Sequence, residues 1–219
     1  MMHLTFDDIQ ESERKFRINL INSITGIKPA NLLGTVSNDG INNLAIISSV
    51  VHLGSHPPFI GFVMRPKNEV KRDTFENLSS TGHFSINQIP ANLVKNAHYT
   101  SAKFDAAVSE FEVCKIREEF LGDFPVPFVK ESPIKIGLSL QETIPIKSNN
   151  TLFIVGKVEQ LFIDDNYVDE RGYIRLDYMN AAGIGGLNSY YTLKKIAEFP
   201  YARVEENPFE KIEKTRFTN

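Results

Sequence analysis

Two long apolar stretches in the second half of the chain place the strongest constraint on its fold. They read IKIGLSLQETIPI and TLFIVGKVEQLFID, and the polar segment KSNN separates them. Apolar and polar residues alternate in each stretch, as they do in a strand that buries one face. The pair therefore predicts two long strands joined by a polar turn, within a core rich in β-structure.

Earlier in the chain, residues 30–64 predict three further strands. LLGTVSN and NLAIISSVVHL flank the turn NDG, where Asp39 and Gly40 suit a hairpin. The third strand, FIGFVM, follows GSHPP, because the paired prolines Pro57 and Pro58 cannot continue a central strand. Later, HFSINQI returns to strand alternation. Strands joined mainly by hairpins predict a mainly β protein, an antiparallel barrel with added α-helices, rather than a doubly wound sheet.

Helix signals lie before and between these strands. Thr5 and Asp8 read as a capping box that begins a helix over residues 6–24. A second, short helix is predicted to begin at Asp73 or Thr74 and to run to about Ser80. The region from Phe111 to Ser132 reads as a long connection, and the charged residues after 199 read as a solvated helix or a mobile end.

Composition excludes several classes of function. The 24 Lys and Arg residues against 27 Asp and Glu residues give a formal charge of -3, so nucleic acid is not an expected partner. The single cysteine, Cys114, forms no internal disulfide, and the five histidines lack metal-ligand spacing, so no metal site is expected. The charged N-terminus resembles neither a signal peptide nor a membrane span, which predicts a cytoplasmic protein without a membrane partner.

The sequence lacks the common motifs for nucleophilic or phosphate chemistry. There is no GxxxxGK[ST] loop and no GxSxG elbow, and Gly183-Ile184-Gly185-Gly186 reads as a turn rather than a dinucleotide fingerprint. Cys114 lies in FEVCKI, an alternating run in which a buried, inert thiol is the common outcome. No catalytic residue is therefore predicted from the chain itself.

Two positive signals indicate binding. Basic residues precede the predicted helix start at Asp73 and Thr74, and free N–H groups, a hydroxyl and nearby cations together suit a phosphate group; they are Arg65, Lys67, Lys71 and Arg72. The alternative is a solvated basic loop. The pair Ser48-Ser49 at the end of an apolar segment suits a planar polar heterocycle, and its alternative is two serines on the wet face of a barrel.

The order of several segments resembles the flavin reductase-like family. They are KPANLLGTVSNDGINNLAIISSVVHLGSHPPFIGFVMRP, KRDTFENLSSTGHFSINQ, YTSAKFD, ESPIKIGLSL and VGKVEQLFID. The resemblance covers roughly residues 25–192 and includes a flavoredoxin-like subgroup. It implies an antiparallel six-stranded split β-barrel, the FMN-binding split barrel, and a homodimer with FMN near the subunit interface.

The resemblance also implies a set of FMN-binding residues. Backbone and side-chain groups near the Ser48-Ser49 pair would meet the flavin ring, and the helix start would hold the phosphate. The residues implied are Asn31, Ile47, Ser48, Ser49, Val50, Val51, Arg65, Lys71, Arg72, Asp73, Thr74, Ser101, Lys103, Asn188 and Tyr190.

These observations predict an NAD(P)H-dependent flavin reductase in which FMN carries the chemistry and NADH or NADPH is the electron donor. Oxygen, free flavin, a monooxygenase or another protein would be the acceptor. Two alternatives stay open, a flavoredoxin-like electron carrier without NAD(P)H activity and a flavin-free barrel for a small ligand. The whole chain, 1–219, is predicted to be one domain, with a helical extension at 1–24, a core at 25–192 and a charged tail at 193–219.

Overall fold

The computed structural model of the chain describes residues 1–65 and 73–203. Helices form a minor part of these residues. The α-helices are α1 (Phe6–Glu11), α2 (Arg14–Ser23), α3 (Asp73–Thr81), α4 (Val94–Tyr99) and α5 (Glu110–Val113), and 3-10 turns lie at Ala91–Leu93 and Asp165–Tyr167. No helix in these two ranges is long and apolar enough to cross a membrane.

Most of the regular secondary structure is β-structure. The strands are β1 (Lys28–Pro29), β2 (Asn31–Val36), β3 (Asn42–Ile47), β4 (Val51–Ser55), β5 (Pro58–Met64), β6 (His83–Gln88), β7 (Glu118–Glu119), β8 (Phe128–Val129), β9 (Ile134–Ile146), β10 (Thr151–Ile163), β11 (Ala182–Gly185) and β12 (Ser189–Thr192). The strands β1, β11 and β12 form a small sheet, and β7 pairs with β8.

The main sheet contains seven antiparallel strands in the order β3-β2-β6-β9-β10-β5-β4. The long hairpin predicted from the alternating stretches is confirmed as β9 and β10, and Asn150 turns between them with φ of 57°. The strands β3 and β4 lie at opposite edges of this sheet, yet only residues 48–50 link them. A link of that length spans on the order of 14 Å, so the sheet must curl until its edges meet as a barrel.

The sheet has seven strands where the split-barrel expectation was six. The difference lies in NLAIISSVVHL, which was predicted to be one strand and is divided into β3 and β4. At the division, the Ser49 hydroxyl donates to the Val63 carbonyl oxygen and accepts from the Val63 N–H, both at 3.0 Å. The side chain thereby satisfies backbone groups that a neighbouring strand would otherwise pair, and the main chain leaves the ladder.

The interior of the barrel is filled by apolar side chains from both halves of the sheet. Leu33, Phe62, Phe84, Leu138 and Ile154 are fully buried in one cluster. The Phe62 and Phe84 rings meet edge to face with centroids 5.7 Å apart. Close packing of this kind fixes β5 and β6 relative to each other and holds the strand ends that face the candidate site.

A second apolar cluster attaches α4, α5 and the small sheet to one side of the barrel. Its members include Leu32, Leu44, Ile89, Phe111 and Ile184. This cluster places the first residue of α5 beside β3, although about 65 residues of chain separate them. It also brings the turn after β11 to the same side.

The N-terminal region differs from the prediction of one helix over residues 6–24. The capping box of Thr5 and Asp8 is confirmed, but the helix ends at Glu11. A second helix begins because the Glu13 carboxylate accepts hydrogen bonds from the N–H groups of Lys15 and Phe16. An acidic side chain inside the predicted helix therefore acts as a second N-cap. No residue of α1 or α2 is buried.

The remaining helix predictions have mixed outcomes. The short helix after the basic segment is confirmed as α3, and Gly82 follows it with φ of 71°. The segment FEVCKI is not an alternating strand, because it contains the end of α5 and a turn at Lys115 with φ of 54°. Cys114 is buried there, and burial raises its pKa. Most of the charged C-terminal tail lies outside the described residues.

Candidate functional site

A groove with a volume of about 650 Å³ runs along one side of the barrel, a size typical of cofactor pockets. It is assembled from β3, the end of β5, the start of α3, the segment after α4, the first residue of α5 and the turn after β11. Its lining residues are Leu33, Asn43, Ala45, Ile46, Ile47, Ser48, Phe62, Val63, Met64, Arg65, Asp73, Thr74, Thr100, Ser101, Ala102, Lys103, Phe104, Glu110, Ile184, Leu187 and Asn188.

One part of the groove is apolar. Ala45, Ile46 and Ile47 contribute from β3, and Phe104 and Leu187 contribute from the two loops nearby. The three β3 residues are held by pairing with β2, and Phe104 packs against the second apolar cluster. A flat, mostly apolar ligand surface could pack here with its polar edge toward the backbone groups of the strand end at residues 47–48.

The opposite part carries charge. Arg65 follows β5 and is exposed, and Asp73 and Thr74 form the first turn of α3. The first N–H groups of an α-helix have no partner within the helix, and they carry the positive end of its dipole. This end of the groove therefore suits an anion. Three further cations predicted for it, Lys67, Lys71 and Arg72, lie outside the described residues.

The loop after α4 forms an exposed rim of the groove. The Ser101 hydroxyl donates to the His98 carbonyl oxygen at 2.7 Å, which closes the end of α4 and fixes the loop. Lys103 in this loop and Asn188 in the turn after β11 are exposed and line the groove, and both are among the residues that the resemblance implied. These two segments thus offer a cation and an amide to a ligand.

A buried polar network lies beneath the charged end. One carboxylate oxygen of Glu110 accepts from the Asn43 side-chain amide at 2.8 Å and from the Leu44 N–H at 2.9 Å. The Asn43 side-chain oxygen Oδ1 accepts from the Thr74 hydroxyl at 3.0 Å. Burial raises the pKa of Glu110, and the nearby negative charge of Asp73 raises it further, while the hydrogen bonds from Leu44 and Asn43 oppose this.

The network extends under α3. The Thr35 hydroxyl donates to the Asn43 side-chain oxygen at 3.3 Å and accepts from the Asn77 side-chain amide at 3.3 Å. Thr35 and Asn77 are buried, and the hydrogen bond between the Thr35 hydroxyl and the Asn77 side-chain amide gives each group a partner away from water. The start of α3 is consequently held against β2 and β3 by side-chain hydrogen bonds as well as by apolar packing.

Five of the predicted binding residues do not line this groove. They are Asn31, Ser49, Val50, Val51 and Tyr190. Asn31 is buried within β2 between Ile47 and Gln88, and the Ser49 hydroxyl is engaged by Val63. Val51 lies in β4 with 45% of its surface exposed. The Tyr190 hydroxyl lies 3.0 Å from His98 Nδ1, and its ring packs against the second apolar cluster.

Sequence reasoning missed two buried polar residues of the groove, Asn43 and Glu110. Asn43 and Glu110 form no sequence motif, because neither lies in a recognisable pattern and they are 67 positions apart. The aromatic lining residues Phe62 and Phe104 were also missed. The only local signal was the occurrence of two asparagines, Asn42 and Asn43, directly before the apolar run LAII.

The described residues contain no group of three or more His, Cys, Asp and Glu side chains that could hold a metal ion. What the groove does offer is an apolar wall for a ring system, hydroxyl and amide groups along its length, and a helix start with a cation at one end. That combination can hold and orient an anionic aromatic ligand.

Comparisons with known proteins agree with this arrangement. The family model of the flavin reductase like domain matches residues 27–182. Among solved structures, the fold is similar to that of a proposed flavin reductase with a split barrel domain from Shewanella frigidimarina NCIMB 400. That likeness has a TM-score of 0.88 and 42% identity, and it covers 92% of this chain and 100% of the other.

Two more distant structures share the fold. Nitrilotriacetate monooxygenase component B from Bacillus cereus matches with a TM-score of 0.80 and 21% identity over 91% of this chain and 98% of its own. Flavoredoxin of Desulfovibrio vulgaris (Miyazaki F) matches with a TM-score of 0.69 and 18% identity over 80% of this chain and 92% of its own. The extent of the family match and the barrel architecture lead to one conclusion: this chain belongs to the flavin reductase-like family and has its split-barrel fold.

Proposed function

We propose that the protein binds FMN in the groove and is an NAD(P)H-dependent flavin reductase, transferring hydride from a reduced nicotinamide to the flavin. The observation that carries this proposal is the pairing, within one groove, of an apolar wall with an anion-suited helix start. A flavin mononucleotide has the matching parts, a flat ring system and a phosphate joined by a polyol chain. Membership of the flavin reductase-like family supports the assignment.

The residues present fit such a ligand. The ring would lie along Ile46 and Ile47, with its polar edge toward backbone groups near Ser48. The phosphate would meet the first N–H groups of α3, at Asp73 and Thr74, and the guanidinium of Arg65, joined by Lys71 and Arg72. Asp73 would contribute its backbone rather than its carboxylate, because two anions in contact repel.

Bound FMN would supply the redox chemistry, since its ring accepts two electrons from a reduced nicotinamide. The chain's own residues would then position the ring and set the charge around it. Ser101 and Lys103 form the exposed rim past which nicotinamide and then the electron acceptor would enter. Because FMN would supply the redox chemistry, the chain would need no nucleophile or catalytic triad.

We also propose that the protein is a cytoplasmic homodimer that passes electrons to oxygen, free flavin or a partner enzyme. Apolar side chains on α1 and α2 are exposed, among them Phe6, Phe16, Ile18 and Ile21, and a second copy of the chain would cover them. The similarity to a monooxygenase component supports a partner monooxygenase.

The second candidate function is an FMN electron carrier without NAD(P)H activity. The shared fold with flavoredoxin favours it, and the groove would bind FMN in the same way. The two candidates differ in whether a nicotinamide can stack on the bound flavin and reduce it.

One experiment separates these candidates. The visible absorbance of the purified protein is recorded after addition of FMN and removal of excess ligand, and NADH or NADPH is then added without oxygen. Flavin bands that remain and then bleach are the expected result. Bands that remain but stay oxidised would favour the carrier, and failure to retain flavin would favour a flavin-free barrel.

A paired substitution tests the placement of the phosphate. Replacing Arg72 and Thr74 together by alanine removes a cation and a hydroxyl, and we expect FMN binding to weaken by about 2 to 4 kcal/mol. Titration of protein fluorescence or flavin fluorescence measures the affinity. Unchanged affinity would contradict the placement of the phosphate at the start of α3.

A further inference from the structure

Glu110 is a buried carboxyl group that the proposed chemistry does not use. It lies at the first position of α5, exposes 8% of its surface and lines the groove. No lysine or arginine among the described residues pairs with it. A carboxylate buried without a cation is costly, and it is retained in a fold when its hydrogen bonds do something specific.

Its hydrogen bonds fix the orientation of one amide. An ionised carboxylate only accepts hydrogen bonds, so Asn43 must turn its NH₂ group toward Glu110. Asn43 Nδ2 lies 2.8 Å from Glu110 Oε2. The Asn43 oxygen then faces the opposite way, toward Thr74, whose hydroxyl donates to it at 3.0 Å. If Asn43 turned over, its NH₂ group would face Thr74 and its oxygen would face the Glu110 carboxylate.

The same hydrogen bonds hold the start of α3 in place. The Asn43 side-chain oxygen accepts from the Thr74 hydroxyl and from the Thr35 hydroxyl, so it ties the first turn of α3 to β2 and β3. A hydroxyl has one proton, and the Thr74 hydroxyl uses it for this anchor. The first N–H groups of the helix have no partner within the helix, and they recognise phosphate by donating.

We propose that Glu110 is a positioning residue which, through Asn43 and the Thr74 hydroxyl, fixes the first turn of α3 for the phosphate of the bound flavin. The proposal rests on the proposed FMN site and adds to it a residue that acts on the phosphate through other groups. It predicts that Glu110 affects recognition of the phosphate and leaves binding of the ring unaffected.

Comparison of FMN with riboflavin tests this, because riboflavin has the ring and the polyol chain but no phosphate. The affinity ratio of the two ligands isolates the contribution of the phosphate. We expect Glu110→Ala to lower the FMN preference about tenfold, as for one lost hydrogen bond, with riboflavin affinity unchanged. Glu110→Gln keeps an acceptor for Asn43, and it should retain the preference within about threefold.

Two further variants make the test specific. Glu112→Gln alters an exposed carboxylate on the same helix and should leave both affinities unchanged. In a Thr74→Val background, Glu110→Ala should have no additional effect on the ratio, since the hydroxyl through which it acts is gone. If Glu110→Ala fails to fold, Asn43→Ala interrupts the same hydrogen bonds and should lower the ratio equally.

The outcomes separate the two proposals. If the wild-type protein binds neither flavin, the proposed function fails and this inference fails with it. If the wild-type protein prefers FMN and Glu110→Ala keeps that preference, the inference alone is overturned. An equal fall in both affinities would also overturn it, because that result indicates a general structural role.

Discussion

At the scale of single residues, polar side chains replace missing backbone partners where the barrel closes and where the groove forms. Ser49 satisfies both backbone groups of Val63, and Glu110 satisfies the Leu44 N–H together with the Asn43 amide. Each contact joins segments that are distant in the sequence. These residues therefore stabilise the fold and also fix the shape of the groove.

The Ser49 hydroxyl gives the first prediction. Ser49→Ala removes two hydrogen bonds to Val63 at the division between β3 and β4, and we expect the free energy of unfolding to fall by about 1 kcal/mol. Denaturant unfolding followed by circular dichroism measures the change. Ser55→Ala, at an exposed position in β4, serves as the control, and equal stability of the two variants would contradict the assigned role.

The ionisation of Glu110 gives a prediction of pH dependence. Burial raises the pKa of Glu110 above its ordinary value of 4.5, so between that value and the folded-state pKa the folded protein holds a proton that the unfolded chain releases. The corresponding contribution to stability is complete below pH 4.5 and is lost as the pH rises through the folded-state pKa. Urea unfolding from about pH 4 to pH 7 should show this loss in the wild type. Glu110→Gln should not show it, and parallel pH profiles would contradict the assignment.

At the scale of elements, local sequence patterns predicted the helices and strands whose positions depend on neighbouring residues. Alternation predicted β9 and β10, and the capping residues predicted the starts of α1 and α3. Two of the errors arose from side chains acting as backbone partners. Glu13 capped a second helix within the predicted first one, and Ser49 reached Val63, 14 residues away, to divide a strand. Neither the cap formed by Glu13 nor the hydrogen bonds between Ser49 and Val63 can be predicted from hydrophobic periodicity.

The close approach of β2 to the loop before β8 gives an element-level prediction. A Cβ atom at Gly34 would lie 2.4 Å from the Ser85 hydroxyl and 2.7 Å from the Pro127 carbonyl oxygen. We expect Gly34→Ala to reduce the free energy of unfolding by about 1 to 3 kcal/mol, because backbone must move to admit the methyl group. Gly54→Ala meets its nearest atom at 3.4 Å and is the matched control in thermal unfolding. Equal melting temperatures would show that the approach is not tight.

Removal of α1 and α2 tests their role in association. Neither helix contains a buried residue, so deletion of residues 1–24 should leave the barrel folded. We expect the deletion to weaken self-association, since it removes the exposed apolar side chains that a second copy would cover. Light scattering during size-exclusion chromatography measures the mass. A dimer of unchanged stability would place the interface elsewhere.

At the scale of the whole molecule, the groove exists only after the barrel has closed. Strand ends and helix starts could be predicted from the sequence, and Ser48 and Thr74 were identified in that way. The resemblance added others, such as Lys103. Asn43 and Glu110 could not be found, because their proximity depends on the packing of α5 against β3 and on no local pattern.

Ligand binding should stabilise the entire fold. A ligand that binds only the folded state raises its stability by mass action, by about 2.7 kcal/mol at a concentration one hundred times the dissociation constant. We expect saturating FMN to raise the melting temperature by several degrees, and riboflavin at equal concentration to raise it less. Differential scanning fluorimetry measures both, and equal shifts would indicate that the phosphate adds no affinity.

The three-residue link between β3 and β4 joins the two edges of the main sheet, and Ser48 within it lines the groove. The barrel cannot unroll at this seam without moving Ser48 away from Phe62 and Met64 on the facing strand, which line the same groove. A ligand bound across the seam therefore opposes unrolling, and each transient opening of the barrel releases part of the ligand's contacts. Amide hydrogen exchange along β3 and β4 and the residence time of the ligand are then two measures of one motion.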